Sequence, residues 1–264
     1  MKNEILSRLP ASYPWRGNIH YFDTIDSTNT QAKIMAADGA PHGTVLIADS
    51  QTGGRGRMGR SFHSPAGTGV YMSMILRPNC PAQELLHLTC ATAVAVADGI
   101  YRATNLQADI KWTNDLVYKQ KKLGGILTEL TLDNDGNVDY AVVGIGINCN
   151  QTSDSFPSEI KNIATSLRLC TGKQVDRATV ITGILVSLQQ MLGQLKNTTE
   201  ILARYRTKCI TIGQDISLVR GDSVSHGKAL DIDETGSLVV QFDDGQIRTV
   251  NSGEVSVRGM YGYV

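Results

Sequence analysis

Between Ser50 and Phe62 the chain reads SQTGGRGRMGRSF, with Gly53, Gly54, Gly56 and Gly59 interleaved with Arg55, Arg57 and Arg60. Glycine lets backbone N–H groups approach a ligand that a Cβ would push away. Arginine offers a planar, permanently charged fork of donors that suits phosphate or carboxylate. Three such forks on a glycine loop describe a trap for a small anion. Two plainer readings compete with it: a solvated surface loop, and an RGG-like nucleic-acid segment. The second fits poorly, because such segments are long, of low complexity and carried by basic chains. Here Lys plus Arg equals Asp plus Glu, 25 of each, and the net charge is zero. The positive charge in the loop is therefore local, which a small-anion site needs and a bulk nucleic-acid or anionic-membrane partner does not.

Four more segments carry groups that could do chemistry, each beside an ordinary structural reading. Ser27-Thr28-Asn29 either caps a helix or presents hydroxyls and an amide to a polar ligand head. Lys111-Trp112-Thr113-Asn114-Asp115 is either an Asn/Asp-rich turn or a cation, an aromatic and polar groups gathered for a charged ligand. Lys121-Lys122-Leu123-Gly124-Gly125-Ile126-Leu127 sets a lysine beside a glycine pair at the opening of an apolar strand. That lysine is solvated on a hairpin, or it aims into a ligand face where Gly125 leaves room. Gly144-Ile145-Gly146-Ile147-Asn148 places glycines inside an apolar strand, which marks a bulge or a close approach by another group.

These groups need elements to hold them. Strands are predicted at Ile19–Phe22, Thr44–Ala48 and Val70–Leu76, so the glycine–arginine loop is slung between two strands, a rigid mounting. A helix over Gln31–Ala37 takes Ser27 or Thr28 as N-cap and ends at Gly39. A long helix starts at Pro81 and runs to about Arg102. Further strands fall at Asp109–Trp112, Leu116–Tyr118, Gly125–Leu132 and Tyr140–Cys149, with a turn at Gln120–Lys122 and a hairpin at Asn134-Asp135-Gly136. Residues 150–158 read as a polar loop. Two helices follow, the clearer running from an Asp176 cap to about Lys196. After Lys208, short alternating strands punctuated by Gly221-Asp222, Thr235-Gly236 and Asp244-Gly245 make a small β-barrel of SH3-like type. The Arg220-Gly221-Asp222 tripeptide is a turn. The predicted organisation is a larger domain of helices and strands over 1–207, which holds all five segments, and a β-domain over 208–264.

Composition agrees with a globular chain. Its 264 residues are 41% apolar, enough for a substantial core. The N-terminal MKNEILSRLPASYPW lacks an apolar signal region, and no stretch reaches the length of a membrane span. Cys80, Cys90, Cys149, Cys170 and Cys209 are scattered without a CxxC, and the five histidines are equally dispersed. A cytoplasmic, reduced protein without a disulfide framework or zinc site is expected.

Taken in order, STN, GRGRxGR, KWxND, KxxGIL and GxGIN resemble the biotin protein ligases, over nearly the whole chain and including the Gly253-Glu254-Val255-Ser256-Val257-Arg258 ending. GRGRxGR followed by KWxNDxxxxxxKxxGIL is the most specific part. The resemblance implies an α+β fold: a mixed β-sheet with packed helices, of the class II aminoacyl-tRNA-synthetase-like type shared by biotin and lipoate ligases. It implies ATP-dependent conversion of biotin to biotinyl-5′-AMP, with Mg²⁺, and transfer to one lysine of a biotin carboxyl carrier protein. By resemblance, Ser27, Thr28, Asn29 and Gln51 lie at the ureido ring of biotin, with Gly54, Gly125, Gly144 and Gly146 along its apolar body. Arg55 and Arg57 bracket the carboxylate and phosphate. Lys122 sits at the carboxylate–phosphate junction and stabilises the developing charge. Arg60, Phe62, Lys111, Asn114 and Asn148 belong to the nucleotide side, Phe62 as a cover for adenine. Asp115 faces the nucleotide and Mg²⁺ and helps deprotonate the incoming lysine. The glycine–arginine loop becomes a lid that orders over the ligand.

One departure stands out. The family motif usually reads KWPND, and Thr113 here replaces a residue that would pre-set the turn. Some relatives carry an N-terminal winged-helix repressor domain. The STN motif begins at residue 27, too little chain to bury such a core, so a monofunctional ligase without DNA binding is expected. An exposed sheet edge leaves room for a homodimer. The alternatives are a lipoate or octanoate enzyme of the same fold, and a non-enzymatic RNA- or nucleotide-binding module.

Overall fold

The computed structural model describes residues 1–251 and the backbone of 256–259. Gly253, Glu254 and Val255 of the family-like ending lie outside the described residues. Helix α1 (Lys2–Arg8) leads into β1 (Ile19–Ile25), α2 (Thr28–Ala37), β2 (Thr44–Gln51) and β3 (Gly69–Leu76). Helix α3 (Leu88–Thr104) precedes β4 (Asp109–Lys111), β5 (Asp115–Tyr118), β6 (Lys121–Leu132) and β7 (Val138–Asn148). Then come α4 (Leu167–Thr171), α5 (Arg177–Gly193) and α6 (Thr198–Lys208). The last strands are β8 (Asp215–Arg220), β9 (Ser223–Ile232), β10 (Leu238–Phe242), β11 (Ile247–Val250) and β12 (Ser256–Gly259).

Seven strands form one mixed sheet in the order β1-β2-β3-β7-β6-β5-β4, with only the β1–β2 pair parallel. Its two faces bury different sets of side chains. Val45, Ile47, Met72, Met74, Val143, Ile145 and Ile147 join the main core with α3 and α5, while Leu46, Ile75, Tyr140 and Val142 pack with Ala32 and Ala36 of α2. Burial on both faces makes these strands near-continuous apolar runs, as observed. Helix α2 is short and covers only part of its face. The remainder, at Gly125 and Gly146, lies beyond α2 and, with Gly144 beneath Asn29 of α2, lines a cavity.

On the opposite face α3 and α5 cross closely. A Cβ on Gly99 would come within 2.6 Å of the Ile184 Cα, and one on Gly183 within 2.6 Å of the Gly99 carbonyl oxygen. Gly183→Ala is expected to push the helices apart and destabilise the protein by about 1–3 kcal/mol, the usual cost of overpacking. A fall in thermal midpoint relative to the exposed control Gly193→Ala would register it.

The second sheet is antiparallel, ordered β11-β10-β9-β8-β12. It docks beside β4. The Trp112 indole N–H donates to the Gly236 carbonyl at 3.0 Å, the Trp112 backbone N–H donates to Thr211 Oγ1 at 2.9 Å, and the Arg206 guanidinium reaches the Ile232 carbonyl. The buried Tyr205 hydroxyl donates to the Thr113 carbonyl at 3.1 Å. The KWTND segment is thus gripped from the side opposite the cavity.

Three local expectations are corrected. The helix placed at Pro81 begins at Leu88; residues Ala82–Leu85 form a separate 3-10 turn, and the buried His87 ring at the junction reaches the Leu195 carbonyl (2.9 Å) instead of continuing the periodicity. The turn placed at Gln120–Lys122 is made by Lys119 (φ 45°) and Gln120 (φ 64°). Two consecutive left-handed residues suit a tight hairpin, and Lys121 and Lys122 therefore belong to β6. The helix capped by Asp176 stops at Gly193, short of Lys196. Helix α1 had no sequence expectation, and three helices, α4, α5 and α6, stand where two were expected after residue 158.

Candidate active site

The Ser27–Gln51 side of the cavity is a hydrogen-bonded knot. Ser27 caps α2 by accepting from the Thr30 N–H, which turns Thr28 and Asn29 inward. The Thr28 backbone N–H and hydroxyl both donate to Gln51 Oε1, at 2.8 and 3.1 Å. Gln51 Nε2 donates to Ser64 Oγ at 2.9 Å, and Ser64 donates to the Phe62 carbonyl. Beneath them the fully buried Ser73 hydroxyl lies 2.8 Å from Thr28 Oγ1 and 2.6 Å from Asn29 Oδ1. Asn29 Nδ2 spends both hydrogens, on the Leu127 carbonyl (3.3 Å) and Glu129 Oε2 (2.9 Å). Its amide fills the space that a Cβ on Gly144 would take. Gly144 therefore makes room for Asn29, and Asn29 is a post that fixes Thr28.

The other end is cationic. Lys122 Nζ donates to Asp115 Oδ1 at 2.7 Å. Its backbone is pinned by β5 and by a second segment: the Lys122 N–H donates to the Ile163 carbonyl (2.7 Å), and its carbonyl accepts from the Thr165 N–H (2.8 Å). Arg57 Nη1 donates to Asn114 Oδ1 at 2.8 Å, and Asn114 Nδ2 donates to the Ile126 carbonyl at 2.9 Å. Burial lowers the Arg57 pKa against the opposing charge of Asp115; an arginine remains cationic there. Lys111 is buried in the cavity wall, and Asn148 Nδ2 donates to the Thr165 carbonyl at 3.0 Å.

The glycine–arginine loop is a folded hairpin. Arg55 pairs with Ser61, the Gly56 N–H donates to the Arg60 carbonyl at 2.7 Å, and the Phe62 N–H donates to the Gly54 carbonyl at 2.8 Å. Met58 (φ 55°) stands exposed at its tip. The segment expected to order over a ligand already has this internal pairing. Phe62 packs edge-on against Tyr71, ring centroids 6.3 Å apart, and lies over Gly146, where a Cβ would come within 2.7 Å of the ring.

A cavity of about 480 Å³ brings together Ser27, Thr28, Asn29, Gln51, Arg55, Arg57, Arg60, Phe62, Lys111, Asn114, Asp115, Lys122, Gly125, Gly144, Gly146 and Asn148. Gly54 is the exception. It sits behind the wall, where a Cβ would strike the Phe62 carbonyl and the Ser64 hydroxyl. The sequence reading missed Ser73, whose signal was a lone hydroxyl in the apolar run VYMSMIL. It also missed the apolar wall of Phe156, Ile160, Ile163 and Ala164, which lies within and just beyond the segment taken for a polar loop. Neutral donors and acceptors at one end, an apolar wall and cations at the other can hold a small amphiphilic carboxylate against a polyphosphate.

Residues 21–148 match the biotin/lipoate A/B protein ligase family, the class of protein that this sheet and cavity define, and residues 211–258 match the biotin protein ligase C-terminal domain. The chain is 41% identical over 239 residues to the bifunctional ligase/repressor BirA of Bacillus spizizenii, covering 90% of this chain and 73% of that one. It is 32% identical to a biotin–[acetyl-CoA-carboxylase] ligase of Mycobacterium tuberculosis, covering 87% and 85%. It superposes with a TM-score of 0.78 on the biotin protein ligase from Aquifex aeolicus solved with biotin and ATP, at 33% identity, covering 92% of this chain and 99% of that one. The chain belongs to the biotin protein ligase family.

Proposed function

We propose that the protein activates biotin with ATP and transfers it to a lysine of a biotin carboxyl carrier protein. The observation that carries this is the polarity of the cavity: the Ser27–Thr28–Gln51 end suits a neutral ureido ring, and Arg57, Lys111 and Lys122 crowd the end where a carboxylate must meet a phosphate. A biotin carboxylate oxygen attacks the α-phosphorus, pyrophosphate leaves, and biotinyl-5′-AMP forms. The carrier amine then attacks the acyl carbon, gives a proton to Asp115 and expels AMP. Lys122 and Arg57 stabilise charge that develops in both steps without needing to reorganise. Asn114 orients Arg57, Asp115 orients Lys122, and Phe62, Arg60, Lys111 and Asn148 are assigned to the nucleotide. No cluster of three metal-ligating side chains exists among the described residues. A Mg²⁺ ion held by one carboxylate and substrate phosphates fits that donor set; Asp115 would supply the carboxylate, and the ion would neutralise phosphate charge.

The catalytic unit is assigned to residues 1–207 and the β-domain to 208–264. No helix among the described residues is long and apolar enough to cross a membrane, and all five cysteines are free thiols, which supports a cytoplasmic setting. The neutral charge supports a protein acceptor rather than DNA.

Incubation with biotin, Mg-ATP and a carrier domain, read by intact mass, should show one biotinyl addition per carrier. Lipoate binding without biotin binding in titration calorimetry would overturn the assignment. Ser73→Ala is expected to raise the biotin Kd about fivefold, since a typical buried hydrogen bond is worth about 1 kcal/mol. An unchanged Kd would exclude Ser73 as the support of Thr28.

A further inference from the structure

Glu129 takes no part in the reaction described above, yet it sits where α2, β6 and the glycine–arginine hairpin meet. It follows the cavity-lining Gly125 and Leu127 at the two-residue period of β6. Three donors converge on its carboxylate. Lys33 Nζ lies 2.8 Å from Oε1, Asn29 Nδ2 lies 2.9 Å from Oε2, and Arg55 Nη1 stands 3.9 Å from Oε1.

The three contacts are unequal. Those from α2 are short, whereas Arg55 is at the outer limit of an ion pair and its side chain is 47% exposed. A pair held so loosely is worth about 0–1 kcal/mol, so Arg55 can leave it at little cost. Burial raises the Glu129 pKa, but hydrogen bonds from Lys33 and Asn29 and the charges of Lys33 and Arg55 outweigh it and bring the carboxyl below its usual range. Glu129 is a full negative charge at neutral pH.

We infer that Glu129 is a positioning residue with two tasks: it orients Asn29 beneath the ligand's polar head, and it holds Arg55 as an exchangeable counter-ion that is released to the substrate carboxylate. This rests on the biotin-activating reading. In the empty site Glu129 neutralises the hairpin's first arginine. The incoming carboxylate competes with Glu129 for the same guanidinium. Lys33 tilts the competition toward the substrate, because its close pairing with Oε1 weakens the hold of Glu129 on Arg55.

The test compares the full-length wild type with Glu129→Gln, Glu129→Asp and Lys33→Met. Calorimetric Kd values are measured for biotin and for its methyl ester, which lacks the carboxylate charge. Glu129→Gln keeps an oxygen for Asn29 and removes the charge. It should shift the affinity ratio about threefold toward biotin, while Lys33→Met should shift it toward the ester. Glu129→Asp, which restores the charge, should return the ratio toward that of the wild type. A purely structural role would change both ligands equally, and that result overturns the inference. If Glu129→Gln does not fold, the opposite shift in Lys33→Met carries the test, and no shift there overturns the inference. A wild type that binds biotin with invariant ratios in the variants overturns this inference alone. A wild type that binds no biotin overturns the biotin-activating reading and this inference with it.

Discussion

Lys122→Ala is expected to slow biotin-dependent pyrophosphate release by about 10²–10³-fold, the usual cost of removing one preorganised charge-stabilising donor from a reaction site. The biotin Kd should change by only a few-fold, because the biotin contacts proposed for Ser27, Thr28 and Gln51 belong to a hydrogen-bonded network separate from Lys122. Lys122 is placed by its backbone as much as by its side chain. Strand β5 borders it on one side, the Ile163–Thr165 segment on the other, and Asp115 fixes its ammonium at 2.7 Å. Such a group needs no rearrangement when negative charge gathers on the α-phosphate. Lys122→Arg should fail to restore the rate, since a planar fork does not occupy the place of a compact ammonium. Pyrophosphate release and calorimetry on the same preparations separate rate from binding. Adenylation by Lys122→Ala within tenfold of the wild type would remove the lysine from the reaction.

Arg57→Gly is expected to convert a selective enzyme into one that leaks its activated intermediate. Arg57 is the hairpin side chain tied across the cavity to Asn114, at 2.8 Å. Removing it cuts the tie between the hairpin and the KWTND turn and, on the proposed reaction, deletes a charged donor from the intermediate's phosphate. Hydrogen bonds to charged groups are worth about 1.5–3 kcal/mol, so the adenylate should dissociate roughly 10- to 100-fold faster. Free biotinyl-5′-AMP acylates any accessible amine. Mass spectrometry of an unrelated lysine-rich protein added to the reaction should then show biotin on many of its lysines, and little with the wild type. Unchanged selectivity would exclude Arg57 as the residue that retains the adenylate.

The polar residues that line the cavity were legible because they fall in local motifs set by residue type and near-neighbour spacing. Arginines among glycines, a lysine beside a glycine pair and an STN at a helix start are local facts. The strands around them followed from apolar runs and turn signals. The Leu88 helix start was not legible, because the His87 ring answers to the Leu195 carbonyl, more than a hundred residues away in the chain. Nor was the exact position of the hairpin turn, expected at Gln120–Lys122 and formed by Lys119 and Gln120, where non-glycine residues adopt left-handed conformations without a glycine to announce them.

By itself, then, the sequence determined the family, the neutral charge around a local cationic loop, and the motifs that supply most of the polar cavity lining, but not the apolar wall of Phe156, Ile160, Ile163 and Ala164. Tertiary structure alone decided which polar groups face a ligand and which are spent on the protein. Asn29 is committed because sheet register brings Ser73, Leu127 and Glu129 to it from distant strands, and Gly144 is small because Asn29 needs the space. Hydrogen-bond capacity is finite and directional. Whether a donor remains for a substrate depends on neighbours in space, which no local pattern of residues records.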